Sequence, residues 1–335
     1  MAVDVSVVVV TKNEAPHIIR CIESVLDALS SVASFEVILV DSSSTDNTVE
    51  MACKYPIRIV QLRPHWIHSP AAGMHIGYVN SKGRYVCFIG GDMELDRDWF
   101  RIAIPYLSNA NVAGIAGRMR NRFEGDPKYS LVERRISKAF ELIPVGEVEI
   151  LGGPAMFKRS VLQEVGGYHP FLKAGEEAEL SARIRTNGYK LLRLDCPMIT
   201  HTSRSMSLLT YLKKYHWEYP RYVASGIRYS IRKGKVPISR NLRNIMTYAF
   251  FDISLVYMIA SAVYAVAQRD LHPLIIGGAG YAIFLAVVLS IRQHFLDSVL
   301  SVLVVHIGSI AALVGFCRII PDPDTYPTDV LVLKE

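Results

Sequence analysis

The chain has 335 residues, enough for one large domain or two modest ones, and carries a formal charge of +6. Half of the residues are hydrophobic, and they concentrate after about residue 245, so the excess belongs to a separate segment rather than to a larger core. The basic balance fits nucleic acid, anionic lipid or a phosphorylated substrate. With no zinc-finger spacing and no aromatic RNA-binding motif, nucleic acid is set aside as a partner.

Five cysteines stand singly with no C-x-x-C pair, which excludes a disulfide framework and a zinc site and leaves reduced thiols used as small apolar groups. Met1-Ala2-Val3-Asp4 leads directly into an apolar run without a basic flank, so no signal peptide is expected and the first domain is expected in the cytosol.

In chain order, Val5–Val10 is a β-branched run that ends at Thr11-Lys12-Asn13-Glu14. Such a run reads as a strand buried on both faces of a parallel sheet. Residues 15–30 place Ile18, Ile19, Ile22, Val25, Leu26 and Leu29 on one helical face. A second buried strand, Phe35–Val40, stops at Asp41-Ser42-Ser43-Ser44-Thr45-Asp46. Strand, helix, strand is a βαβ unit, in which ligands bind beyond the carboxyl ends of the strands.

The alternation continues with a strand at 57–62, a helix at 70–81 and a strand at 85–89 that ends in Gly90-Gly91-Asp92-Met93-Glu94. A helix at 97–108 and a strand at 112–119 follow. Residues 120–150 are charged and less periodic, an insertion with room for an acceptor. Glu176–Asn187 reads as a helix closed by Gly188.

After residue 205 the character changes. Residues 207–243 interleave Tyr, Trp and Leu with nine Lys and Arg, a composition suited to a helix in the headgroup layer of an anionic leaflet. Apolar stretches at 246–267, 273–291 and 298–317 each approach the roughly 20 residues needed to cross a bilayer. The expected organisation is a catalytic domain at 1–205, a basic amphipathic interfacial segment at 206–244, two or three transmembrane helices at 245–320, and a tail at 321–335. The basic load before the first span places the catalytic domain on the cytosolic side of a multi-pass membrane protein. Three crossings would put the tail on the opposite side.

Two carboxylates at i and i+2 beyond a strand end, Asp92 and Glu94, can reach one divalent cation, and hard oxygen ligands suit Mg²⁺ or Mn²⁺. Such an ion would neutralise the charge that grows on a departing nucleoside diphosphate.

Over residues 5 to about 205 the chain resembles the inverting family 2 glycosyltransferases. Thr11-Lys12-Asn13-Glu14 looks like that family's first nucleotide-contacting loop, and Asp41-Ser42-Ser43-Ser44-Thr45-Asp46-Asn47-Thr48 resembles its second. Asp92-Met93-Glu94 stands at the place of its D-x-D motif. Glu176-Glu177-Ala178-Glu179-Leu180-Ser181-Ala182-Arg183, before Gly188-Tyr189, resembles its E-D-x-x-L-x-x-R segment.

The resemblance implies a GT-A-type α/β fold with a mostly parallel sheet, here followed by C-terminal transmembrane helices. It implies a nucleotide-diphosphate sugar donor contacted by Thr11, Asn13, Glu14, Asp41, Ser43, Asp46, Glu176 and Arg183. It further implies a metal held by Asp92 and Glu94 and completed by His201, with Glu177 as catalytic base.

Two departures are evident. Met74-His75 stands where the family often has Arg-Asn, and a Q-x-x-R-W segment is absent, Glu218-Tyr219-Pro220-Arg221-Tyr222 being its distant echo. The second departure implies transfer of a single sugar. The expected acceptor is a lipid-linked saccharide or glycolipid in surface polysaccharide synthesis, with a polyprenyl phosphate as the alternative. An inactive membrane scaffold is the reading from another class.

Overall fold

The computed structural model describes residues 3–124, 144–204, 207–232, 256–257, 259–273, 275–281, 307–308 and 310–335. They fall into two compact units, residues 1–207 with 320–335, and residues 208–319.

The first unit is built on a sheet whose centre is parallel. Strand β1 (Val5–Thr11) lies between β2 (Phe35–Asp41) and β4 (Tyr85–Gly90), and β2 pairs in parallel with β3 (Arg58–Gln61). Val5, Val7, Val8 and Val9 are fully buried, as a central strand covered on both faces requires.

Helix α1 (Ile18–Leu29) buries Ile18, Cys21, Ile22, Val25, Ala28 and Leu29, the stripe that the spacing predicts. Short α2 (Thr48–Ala52) follows β2. Helix α3 (Pro70–Asn80) starts from Ser69, whose hydroxyl accepts from the Ala72 N–H at 3.0 Å. Its Gly73 and Gly77 face β1 so closely that a Cβ would stand 2.4 Å from Val10 Cγ1 and 2.1 Å from Val8 Cγ1. Only hydrogen at these two positions lets the helix lie on the strand.

The rest of the sheet departs from the expected mostly parallel arrangement. Added to it are β5 (Met93–Leu95), β6 (Val112–Glu124), β7 (Gly146–Glu147), β8 (Ala155–Lys158), β9 (Lys190–Arg204) and β10 (Leu331–Lys334). The strand order is β10-β3-β2-β1-β4-β8-β6-β9-β5, with β7 also on β9. β6 and β9 run parallel, whereas β8, β5, β7 and β10 pair antiparallel to their neighbours. The sheet is therefore mixed: the chain crosses over through α4 (Trp99–Leu107) to β6, and β8 then slots between β4 and β6, antiparallel to both.

Helices α5 (Arg159–Val165) and α6 (Glu176–Thr186) follow β8 and precede β9. Phe88, Phe157 and Tyr168 join β4, β8 and the turn before α6 through ring contacts of 5.2–6.4 Å.

In the second unit, helical turns at Leu208–Tyr211, a π-helical stretch at Leu212–Glu218 and a helix at Tyr219–Arg232 follow one another. Lys214 lies over the Tyr215 ring and Arg221 over that of Tyr222. The expected interfacial segment is helical over this range, and its part at 233–244 lies outside the described residues.

Two expectations are overturned here. Among the described residues no helix is long and apolar enough to cross a membrane, which contradicts the multi-pass reading and its localisation. Helix is described at 259–268, 275–281 and 310–316, and the first of these stops at Arg269, which adopts φ 55°. The parts of the expected spans at 246–255, 282–291 and 298–306 lie outside the described residues. The tail is also not on an opposite side, since β10 is an edge strand of the first unit's own sheet.

Candidate active site

Parallel pairing sets the carboxyl ends of β1, β2 and β4 side by side, with Thr11 opposite Asp41 and Val10 opposite Gly90. The loops that leave these ends, with the first turn of α6, enclose a cavity of about 500 Å³. Thr11, Lys12, Glu14, Ser42, Asp92, Glu176 and Glu177 line it, together with His68, Ser69, Pro70 and Met74 from the start of α3. This is where an open α/β sheet holds ligands.

The two loops predicted to contact a nucleotide are stitched to each other. The Asn13 N–H donates to Ser44 Oγ at 2.8 Å, and the Thr45 N–H donates to Asn13 Oδ1 at 2.8 Å. The Glu14 N–H donates to Thr48 Oγ1 at 2.8 Å, and the Ala15 N–H to Asp46 Oδ2 at 3.2 Å. Asn13 and Ser43 both sit at φ 56°, and Ser43 Oγ donates to the Leu62 carbonyl at 2.7 Å.

Asp41 is fully buried and accepts from the Ser44 N–H, the Ser44 hydroxyl and Gln61 Nε2. Its carboxylate is occupied by the loop it organises, and Ser42 rather than Asp41 lines the cavity. Asn13, Ser43 and Asp46 likewise spend the contacts just described on loop geometry, while Thr11 and Glu14 face the cavity. Thr11 Oγ1 is buried and makes no hydrogen bond among the described residues, which leaves it open to a ligand.

The expected metal ligands separate into two groups. Asp92 Oδ2 and His201 Nε2 stand 3.0 Å apart, and His201 Nδ1 lies 3.1 Å from Asn121 Oδ1. Antiparallel pairing of β5 with β9 sets Met93 opposite His201 and so brings the histidine to the acidic turn. Glu94 instead binds Arg122 of β6 at 2.6 Å and does not line the cavity. Among the described residues no group of three His, Cys, Asp or Glu stands ready for a metal. Asp92 and His201 still fit a cation that takes its remaining ligands from a diphosphate and water, the usual habit of Mg²⁺.

Helix α6 opens at Gly175, which adopts φ 78°, with Glu176, Glu177 and Glu179 in the first turn and Arg183 and Arg185 in the last. That charge order suits the helix dipole. Burial raises the carboxyl pKa of both Glu176 and Glu177, and for Glu176 the neighbouring Glu177 charge raises it further. Glu176 Oε2 is buried and has no hydrogen-bond partner among the described residues.

Arg183, predicted to bind substrate, is turned away from the cavity. It pairs with Glu179 at 2.6 Å and donates to the carbonyls of Val165 and Gly167, clamping α6 to the turn that ends α5.

A second cavity of about 280 Å³ shares Met93, Gly153 and Glu177 with the first. Arg118, Arg193, Gly152 and His201 also line it. The segment Leu151-Gly152-Gly153-Pro154 was not singled out in the sequence, although paired glycines before a proline mark backbone that can approach a ligand. A Cβ on Gly153 would lie 3.6 Å from Glu177 Oε1. Glu177 thus stands between two chambers, one at the strand ends and one flanked by arginines.

Comparison with known proteins agrees with this geometry. Residues 6–166 match the family model of glycosyl transferase family 2. Glycosyltransferase AglE of Haloferax volcanii is 22% identical over 204 residues, which cover 56% of this chain and 63% of AglE. Pre-mycofactocin glycosyltransferase of Mycobacterium tuberculosis is 24% identical over 216 residues, covering 60% and 43%. Dodecaprenyl-phosphate galacturonate synthase of Rhizobium johnstonii is 29% identical over 131 residues, covering 37% and 38%. The chain matches less than two thirds of the length of each of these relatives.

Among solved structures, mannosyltransferase PcManGT from Pyrobaculum calidifontis, in complex with GDP-Man and Mn²⁺, superimposes with a TM-score of 0.61 at 18% identity, covering 94% of this chain and 87% of that one. S. aureus TarS 1–349 in complex with UDP-GlcNAc gives 0.55 at 17% identity, covering 74% and 71%. The shared fold is GT-A-like, an α/β architecture with a mixed sheet.

Proposed function

We propose that this chain, with its glycosyl transferase family 2 domain, moves a single sugar from a nucleotide-diphosphate donor to a lipid-linked saccharide or glycolipid, with inversion at the anomeric carbon. The observation that carries this reading is the placement of Glu177 between the strand-end cavity and the arginine-flanked one. A donor fits the first chamber against Thr11 and Glu14, and an acceptor enters the second.

Glu177 takes the proton from the acceptor hydroxyl as its oxygen attacks the anomeric carbon. The bond to the diphosphate breaks with its electrons on the departing nucleotide. A carboxyl raised by burial is a better base near neutral pH than an ordinary glutamate. Asp92 and His201 are the residues that would hold Mn²⁺ or Mg²⁺, which supplies positive charge for the departing diphosphate. Glu176 stays protonated beside Glu177 and can donate a hydrogen bond without adding a second charge.

A polyprenyl-phosphate acceptor is the second reading. It is favoured by the buried Arg193 in the wall of the acceptor chamber and by the similarity to a protein named as a dodecaprenyl-phosphate sugar synthase.

The test is to incubate the purified protein with Mn²⁺, a panel of nucleotide-sugars and either a native lipid extract or a polyprenyl phosphate, and to weigh the products. A sugar added to a lipid-linked saccharide or glycolipid supports the first reading, and a lipid-phosphate sugar the second. No transfer from any donor would sink both and leave the scaffold reading. Glu177→Gln should lower kcat by about 10²–10⁴-fold while the donor Kd changes little.

A further inference from the structure

We propose that residues 320–335 form a brace on the donor pocket, with Tyr326 as its positioning residue. The proposal rests on the glycosyltransferase reading of that pocket. The family match ends at residue 166, so it assigns nothing to this segment.

The inner side of the loop from Leu62 to Ser69 is pocket wall, since His68, Ser69 and Pro70 line the 500 Å³ cavity. Its outer side is held by the closing segment at three points. Tyr326 is buried, with 4% of its surface exposed, and its hydroxyl donates to the Ile67 carbonyl at 2.7 Å. The ring of Tyr326 meets Trp66, His75 and Phe171 edge-on at 5.7, 6.2 and 5.3 Å. Arg63 Nε donates to the Asp329 carbonyl at 2.9 Å and to its carboxylate at 3.0 Å. Beyond these, β10 adds an antiparallel strand to β3, and Lys334 Nζ donates to the carbonyls of Cys53 and Tyr55.

Two routes carry this brace inward. One runs from Tyr326 to His75, the neighbour of the cavity-lining Met74, and His75 Nδ1 donates to the Tyr168 carbonyl at 3.2 Å. The other runs from Leu331 to its register partner Gln61, whose amide donates to Asp41 at 2.8 Å and so supports the loop that carries Ser42. Held this way, the 62–69 loop presents a formed wall to the donor, and less ordering is left to be done on binding.

The test uses the full chain with Mn²⁺ and measures calorimetric Kd for UDP and for GDP, donor KM and kcat, and hydrogen exchange at the amides of 63–69. Tyr326→Phe removes only the bond to Ile67 and should raise the Kd of the nucleotide that binds by about threefold to tenfold. It should raise donor KM in parallel, leave kcat near wild type and speed exchange at 63–69. Tyr326→Ala should do so more strongly. Should that variant fail to fold, Tyr326→Phe and Asp329→Asn carry the test. A Kd within twofold of wild type in folded Tyr326→Phe and Asp329→Asn overturns the brace and leaves the glycosyltransferase reading intact. A wild-type protein that binds neither nucleotide and transfers sugar from no donor of the panel overturns both.

Discussion

At the scale of single residues, the buried glutamates make the sharpest predictions. The folded state raises the pKa of Glu176, so it holds the proton more tightly than the unfolded chain does. The stability this contributes is present in full below the ordinary glutamate value and is lost as the pH rises through the raised one. Glu176→Gln should therefore raise Tm by a few degrees at about pH 9, and the difference should vanish near pH 4. A melting series across that range checks it; a larger gain at low pH would contradict the burial argument.

The metal ligands give a second test at this scale. EDTA should abolish transfer and Mn²⁺ restore it in the wild type, whereas Asp92→Asn should no longer respond to added Mn²⁺. Glu94→Gln should retain most of the Mn²⁺ response, because Arg122 rather than the cavity holds that carboxylate.

At the scale of elements, the clamp between α6 and the turn after α5 is structural. Arg183 and Glu179 are each only about a tenth exposed, and removing one partner of a buried ion pair typically costs roughly 3–5 kcal/mol. Arg183→Met should lose about that much stability by urea denaturation. Its donor Kd, measured below the unfolding transition, should remain close to wild type.

Elements are also where the sequence was most and least readable. Val5–Val10, Phe35–Val40 and Tyr85–Ile89 declared themselves as strands because β-branched and aromatic runs bounded by polar turns have few other uses. The acids at the strand ends followed from that reading. What each acid binds did not follow, since it depends on long-range partners. Gln61 and Ser44 fill Asp41, Arg122 draws Glu94 away, and β9 brings His201 to Asp92. Strand β10 could not be seen in advance. Leu331–Lys334 is too short to show a period, and an edge position is decided by what lies beside it.

At the scale of the whole molecule, hydropathy after residue 245 pointed to membrane crossings that no described helix supports. Composition reports how much apolar surface a segment carries, whereas crossing demands one unbroken helix of sufficient length. The segment from 320 onward matters in a different way, since it packs with the first unit and ties a distant stretch of chain to the sheet. Arg63 and Asp329 are 266 positions apart and yet in contact.

That separation sets a clock during synthesis. At a translation rate of about 5–20 residues per second, β3 leaves the ribosome roughly 14 to 54 seconds before its antiparallel neighbour. Throughout that interval the nascent sheet carries an unpaired edge, a template for pairing with the wrong chain. Until Leu331–Lys334 emerges, β3 therefore stays without the neighbour that closes this side of the sheet, and the half-made protein is exposed to mispairing.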